Sequence, residues 1–105
     1  MRQDRIAEIE ARIAALAPGY LERRTADVVQ LREACARSDW TRIGAIGHDL
    51  RGAGACYGFA WISEIGGELE AAAERRNAED VAGLIDTFEV RLARESATQK
   101  GQRSR

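Results

Sequence analysis

Residues 44–59 read G-A-I-G-H-D-L-R-G-A-G-A-C-Y-G-F. Ile43, Ile46 and Leu50 recur around this stretch at helical spacing and define one buried stripe. Gly58 can take the left-handed backbone that ends a helix, which makes Tyr57-Gly58-Phe59 a tight turn. His48 is the only histidine of the chain. At roughly 100° per residue it lies about 160° around the helix from Leu50, so its ring points away from the core. Its neighbours three and four residues away are Gly44, Ala45, Arg51 and Gly52, with Ala55 one turn further on. A lone imidazole therefore stands on a surface stripped of bulk, with one cation beside it.

The rest of the sequence divides into helical segments on either side of this stretch. Ile6, Ile9, Ile13 and Leu16 form the first apolar stripe, which is expected to stop at Ala17-Pro18-Gly19. Pro18 suits the first turn of a second helix, which carries Leu21, Val28, Leu31 and Cys35 inward. Ser38 and Asp39 are suitable N-caps for the helix holding His48, expected from about residue 40 to about residue 56. A fourth segment buries Phe59, Ile62, Ile65, Gly66, Leu69 and Ala73 and ends at Arg75-Arg76. Asn77 caps the fifth, with Glu79 and Asp80 favourably placed in its first turn. Its inner stripe is Val81, Leu84, Ile85, Phe88 and Leu92.

Short connections force neighbouring helices to pack antiparallel. The expected fold is all-α: an antiparallel up-down four-helix bundle with an additional N-terminal helix acting as a lid. One domain is expected over residues 1–95, its core bundle over about 18–95. Residues 96–105 read as a polar, disordered tail whose charges are Lys100, Arg103 and Arg105.

Composition excludes several function classes. The 16 basic and 17 acidic residues leave a net charge of −1, so no basic field draws in nucleic acid. No apolar run is long enough to cross a bilayer. Arg2, Asp4, Arg5, Glu8 and Glu10 are incompatible with the apolar core of a signal peptide, and a cytoplasmic location is expected. Cys35 and Cys56 are then reduced and are expected to be buried packing residues. Two isolated cysteines and one histidine offer no metal-ligand spacing, so no metal site is expected.

The small residues around His48 have an energetic meaning. Gly44, Gly47, Gly52 and Gly54 each cost a helix up to about 1 kcal/mol relative to alanine. Together they forfeit roughly 4 kcal/mol, against a typical total stability of about 5–15 kcal/mol. Close helix packing accounts for Gly47 and Gly54, near the inner stripe. Gly44 and Gly52 flank His48 instead, which fits a side chain that a partner must reach. A weak surface helix of drifted composition is the competing explanation. Arg51, one turn on, has a planar fork suited to phosphate oxygens, although an isolated solvated arginine would look the same. Antiparallel packing about Gly58 brings Glu70 level with His48. There it is either the acceptor that fixes the ring tautomer or a plain exposed glutamate.

The run His48-Asp49-Leu50-Arg51-Gly52-Ala53-Gly54, followed by Gly58, resembles the histidine phosphotransfer (HPt) domain of bacterial multistep phosphorelays. The stretch from Pro18 to Arg24, Asp39, and the Leu69-Glu70 pair support the likeness, which extends over roughly residues 18–92. The resemblance implies a phosphoryl carrier. His48 would accept phosphate from a receiver-domain aspartate and pass it to another receiver's aspartate. Arg51, where lysine is commoner, would neutralise the phosphoryl group, and Gly52 would leave room for the incoming site. Glu70 stands where the family often has glutamine to orient the ring; a carboxylate there would sit near the phosphate. The implied partners are receiver domains of a hybrid histidine kinase and of response regulators. Mg²⁺ would be supplied by the receiver and no cofactor bound by this chain.

Two other functions compete with the carrier. A helical adaptor or inhibitor could dock signalling partners on the patch of Gly44, Ala45 and Ala55 without being phosphorylated. The dimerisation part of a histidine kinase is disfavoured, because it would need an ATP-binding domain, for which these residues leave no room, and the tight Gly58 turn closes a self-contained bundle instead. No ATP-dependent kinase activity is expected. A small charged bundle of this kind is expected to be a monomer.

Overall fold

The computed structural model describes residues 2–103. Four α-helices make up nearly all of them: α1 (Arg2–Ala36), α2 (Trp40–Ala53), α3 (Ala60–Glu74) and α4 (Ala78–Arg103). A 3₁₀ turn over Gly54–Tyr57 links α2 to α3, and there is no strand among the described residues. The all-α reading is met.

The three connections share one device. Each holds a residue in the left-handed backbone region: Ser38 at φ 55°, Gly58 at 90° and Arg76 at 54°. The next residue's N–H then reaches back five positions. Asp39 donates to the Ala34 carbonyl (2.8 Å), Phe59 to Gly54 (3.0 Å) and Asn77 to Ala72 (3.1 Å). These bonds satisfy carbonyls that a helix end would otherwise leave unpaired. The chain restarts at once, because the Asp39 carboxylate accepts from the Arg42 N–H at 3.0 Å. The Asn77 side chain does the same for Asp80 at 3.1 Å. Both are N-caps.

The buried residues follow the apolar stripes. Leu21, Leu31, Ile43, Leu50, Ile62, Leu69, Ile85 and Phe88 are essentially solvent-free, and buried apolar residues run from Ala17 to Leu92. Trp61 is also buried; its ring meets Phe88 edge-on at 6.1 Å, and the Arg91 guanidinium lies 4.5 Å from the Trp61 centroid. Tyr20 stacks on Tyr57 at 4.1 Å and so ties α1 to the 3₁₀ turn.

Several expectations change. No additional N-terminal helix forms, because α1 runs unbroken through Pro18. Proline inside a helix loses one hydrogen bond and costs about 3 kcal/mol. Here Ala14, Ala15 and Ala17 flank the ring with small, strongly helix-forming side chains. Tyr20 and Leu21 anchor the next turn in the core. The N-terminal stripe is not a lid either: Ile6, Ile9 and Leu16 are each more than half exposed. A 35-residue helix is about 52 Å long, which accounts for the 50 Å longest dimension of the molecule. At the other end α4 stays helical to Arg103, across most of the segment expected to be a tail. Ser104 and Arg105 lie outside the described residues. Cys56 is exposed and Cys35 half-buried, so neither is a fully buried packing residue.

Candidate functional site

The site is assembled by the crossing of α2 and α3, the most extensively contacting pair of helices. A methyl group on Gly66 would lie 2.5 Å from both the Arg51 amide nitrogen and the Gly47 carbonyl oxygen. One on Gly47 would lie 2.7 Å from the Gly66 carbonyl oxygen and 2.9 Å from the Glu70 nitrogen. At Gly54 the same methyl would meet the Ser63 nitrogen at 2.7 Å. These distances are below contact range for any Cβ, so the helices touch backbone to backbone. The pairing is antiparallel, as Gly47 opposite Glu70 and Gly54 opposite Ser63 require. It is pinned at the turn by the Ala55 N–H donating to Ser63 Oγ at 2.8 Å.

This close approach brings Glu70 to His48. Nδ1 of His48 lies 3.1 Å from Glu70 Oε2. The other carboxylate oxygen, Oε1, pairs with Arg51 Nη1 at 3.1 Å. Oε1 is shielded from solvent and the guanidinium is not aligned with it for a hydrogen bond, so this contact is an ion pair. Arg51 Nη2 also stands 3.5 Å from Nδ1. That nitrogen cannot both donate to the carboxylate and accept from the guanidinium. An ionised carboxylate only accepts, and its contact is the shorter, which assigns the ring proton to Nδ1. No hydrogen bond reaches Nε2 among the described residues. The His48 side chain is 62% exposed while that of Glu70 is 26% exposed. At such exposure the contact contributes little stability; its effect is on the direction in which the ring is turned.

The surroundings of the ring are open. Gly52, Ala45 and Ala55 are exposed, and a methyl on Gly52 would meet nothing within 4 Å. Gly44 differs: it is half-buried, and a methyl there would touch Ala73 Cβ at 3.8 Å. So Gly44 belongs partly to the helix contact, while Gly52, Ala45 and Ala55 form the bare ground. Gly67 borders the site as well: a methyl there would make an ordinary contact with the Arg51 stem, 3.5 Å from Cδ. The signal for it was present in the Gly66-Gly67 pair, three and four residues before Glu70 on the same helix.

Helix α1 closes the opposite flank of α2. Arg24 Nε pairs with Asp27 Oδ2 at 3.3 Å. Burial pushes the Asp27 carboxyl above its ordinary range, against the pull of Arg24, and the negative charge of Asp49 beside His48 adds to the rise. The Tyr20 hydroxyl is likewise pushed up, chiefly by burial. Among the described residues no group of three or more His, Cys, Asp or Glu side chains could hold a metal ion, and no helix is long and apolar enough to cross a membrane.

The arrangement offers a ring nitrogen with a free lone pair, facing solvent on uncrowded ground, while the other nitrogen is held by a carboxylate. Chemically that is a nucleophile or a hydrogen-bond acceptor with a fixed tautomer. Compared with models of known protein families, with curated proteins and with solved structures, the chain matches none.

Proposed function

We propose that this chain is a histidine phosphotransfer protein: an antiparallel four-helix bundle that carries a phosphoryl group on His48 Nε2 between receiver-domain aspartates. The observation that carries the reading is the orientation of His48, with Nδ1 held by Glu70 at 3.1 Å and Nε2 free. In the transfer, the Nε2 lone pair attacks phosphorus as the P–O bond to the receiver's aspartate breaks and the carboxylate departs; the return step reverses this. Phosphoryl transfer depends mostly on positioning and charge neutralisation, usually with Mg²⁺. The receiver domain would bring the metal, and Arg51, 55% exposed at the ring's edge, would meet the phosphoryl oxygens. Gly52, Ala45 and Ala55 give the receiver's active site room to approach. The protein acts as a cytoplasmic monomer shuttling between a hybrid histidine kinase and response regulators.

The test is incubation with a phosphorylated receiver domain and Mg²⁺. The expected result is an acid-labile, base-stable label on the chain that is absent from His48→Gln. A receiver that binds tightly yet leaves no label would replace this reading with that of a docking adaptor.

A further inference from the structure

The N-terminal turns of α1 stand clear of the bundle. Pro18 shares a groove with Gln99 and Lys100 of α4, and α4 runs to Arg103. At 1.5 Å per residue, the stretch from Lys100 to Arg103 reaches only about 5 Å further, to the level of about residue 15. Residues 3–12 of α1 are exposed without exception. Tyr20 stacks on Tyr57, so this free arm lies past the Gly58 turn. A lone helix of that length is marginal in water and gains from a cover. We propose that the arm docks an amphipathic helix of a partner protein, one with acidic residues along one edge, as a short two-stranded coiled coil. Such docking is independent of the chemistry at His48.

The apolar residues of the arm have the spacing of a helix-pairing seam. Ile6, Ile9, Ile13 and Leu16 follow one another at intervals of three, four and three, the a and d positions of two heptads. Such a seam is narrower than the stripe that packs into a globular core. Ile6, Ile9 and Leu16 are each more than half exposed. Arg5 and Arg12, seven residues apart, occupy the g positions on one side of the seam, and Gln3 and Glu10 occupy e positions on the other. Among the described residues no ion pair involves Arg5, Glu10 or Arg12. The two arginines present a cationic edge that carboxylates at heptad spacing on a second helix would meet.

A second copy of this chain fits the arm poorly. Parallel pairing would set Arg5 against Glu10 of the copy but Arg12 against its Ala17, which is 4% exposed within its own bundle. The next a position is Tyr20, already buried in the core. Antiparallel pairing about the middle of the seam would set Arg12 against Arg12 and Glu10 against Glu10, and like charges repel. A foreign helix escapes both limits. Two heptads bury less than about 1,200 Å², which suits a transient encounter. A partner held there is kept at raised effective concentration near His48. The ring itself, about 15 Å back from the Gly58 turn by helical rise, stays open.

The test titrates the full chain into a fluorescent three-heptad peptide with isoleucine and leucine along its seam, glutamate along one edge and glutamine along the other. A counterpart peptide carries lysine in place of the glutamate. Anisotropy is expected to show the glutamate peptide binding about tenfold more tightly, since two exposed ion pairs replace two like-charge contacts. The double variant Arg5→Glu, Arg12→Glu should reverse that order. Ile9→Gln should abolish binding of either peptide while leaving the circular dichroism spectrum unchanged, because glutamine forms helix at least as well as isoleucine. Equal affinity for the two peptides would overturn the charged edge, and binding that survives Ile9→Gln would overturn the seam. No binding at millimolar peptide would overturn the docking role altogether. Sedimentation of the free chain tests the remaining occupant: a dimer that Ile9→Gln dissolves would put a second copy on the arm and overturn the foreign helix. None of these readouts depends on phosphoryl transfer, so failure of the carrier reading would leave them standing.

Discussion

The two faces of α2 both lack bulk, for opposite reasons. On the inner face Gly47 and, one residue past the helix end, Gly54 press against the backbone of α3, and Gly66 answers from the other side, leaving no room for a single methyl. On the outer face Gly52 has nothing within 4 Å of where its Cβ would be. Small residues on the inner face are dictated by packing, so they say little about activity. On the outer face no contact within the chain requires a glycine at all. A helix that forgoes alanine there gives up stability for open space, and that space surrounds the one exposed imidazole. The contrast separates glycines that build the site from glycines that keep it clear.

Gly66→Ala should disrupt the backbone contact between α2 and α3 and cost the most stability. The added methyl would sit 2.5 Å from two backbone atoms, neither of which is the flexible end of a side chain. Overpacking of this kind typically costs about 1–3 kcal/mol, sometimes more. Urea unfolding should show a lowered midpoint. An unchanged midpoint would mean that α2 and α3 are not held backbone to backbone. Gly52→Ala should act in the opposite direction, raising stability by up to about 1 kcal/mol through helix propensity alone. By the proposed function it should also slow phosphoryl transfer from a receiver, since the methyl projects into the approach path. Higher stability without slower transfer would remove Gly52 from the docking ground.

Much of the fold was legible in the sequence because apolar spacing reports burial directly. The stripes through Ile43, Leu50, Ile62, Leu69, Ile85 and Phe88 are the observed core. The caps at Asp39 and Asn77 were legible too, since their side-chain oxygens have a specific use at a helix start. The turns were legible only where glycine signalled one. Ser38 and Arg76 adopt the same left-handed backbone as Gly58, and nothing in their side chains announces it. Pro18 misled because its usual place is a first turn, while the alanines around it let α1 continue. At the site, the periodicity placed His48 outward and antiparallel packing brought Glu70 level with it. That Arg51 pairs with Glu70 depends on how its side chain reaches across to α3, a three-dimensional fit that periodicity does not report. Gly44 was read as bare surface because its contact with Ala73 depends on how far α3 leans over α2.

The N-terminal half of α1 offers the mildest test, since its apolar stripe is exposed. Ile6, Ile9 and Leu16 are 53%, 55% and 57% exposed, so their removal should cost little burial. Ile9→Ala trades a partly exposed β-branched side chain for the best helix former. The two effects nearly cancel, and the unfolding free energy should change by no more than about 0.5 kcal/mol. A loss well beyond 1 kcal/mol would mean that this stripe is covered in solution. Repeating the urea titration at two protein concentrations would then identify the cover. A midpoint that rises with concentration would indicate a second copy on the stripe and end the expectation of a monomer. A midpoint independent of concentration would indicate a segment of the same chain folded onto it, restoring the lid that the unbroken α1 replaced.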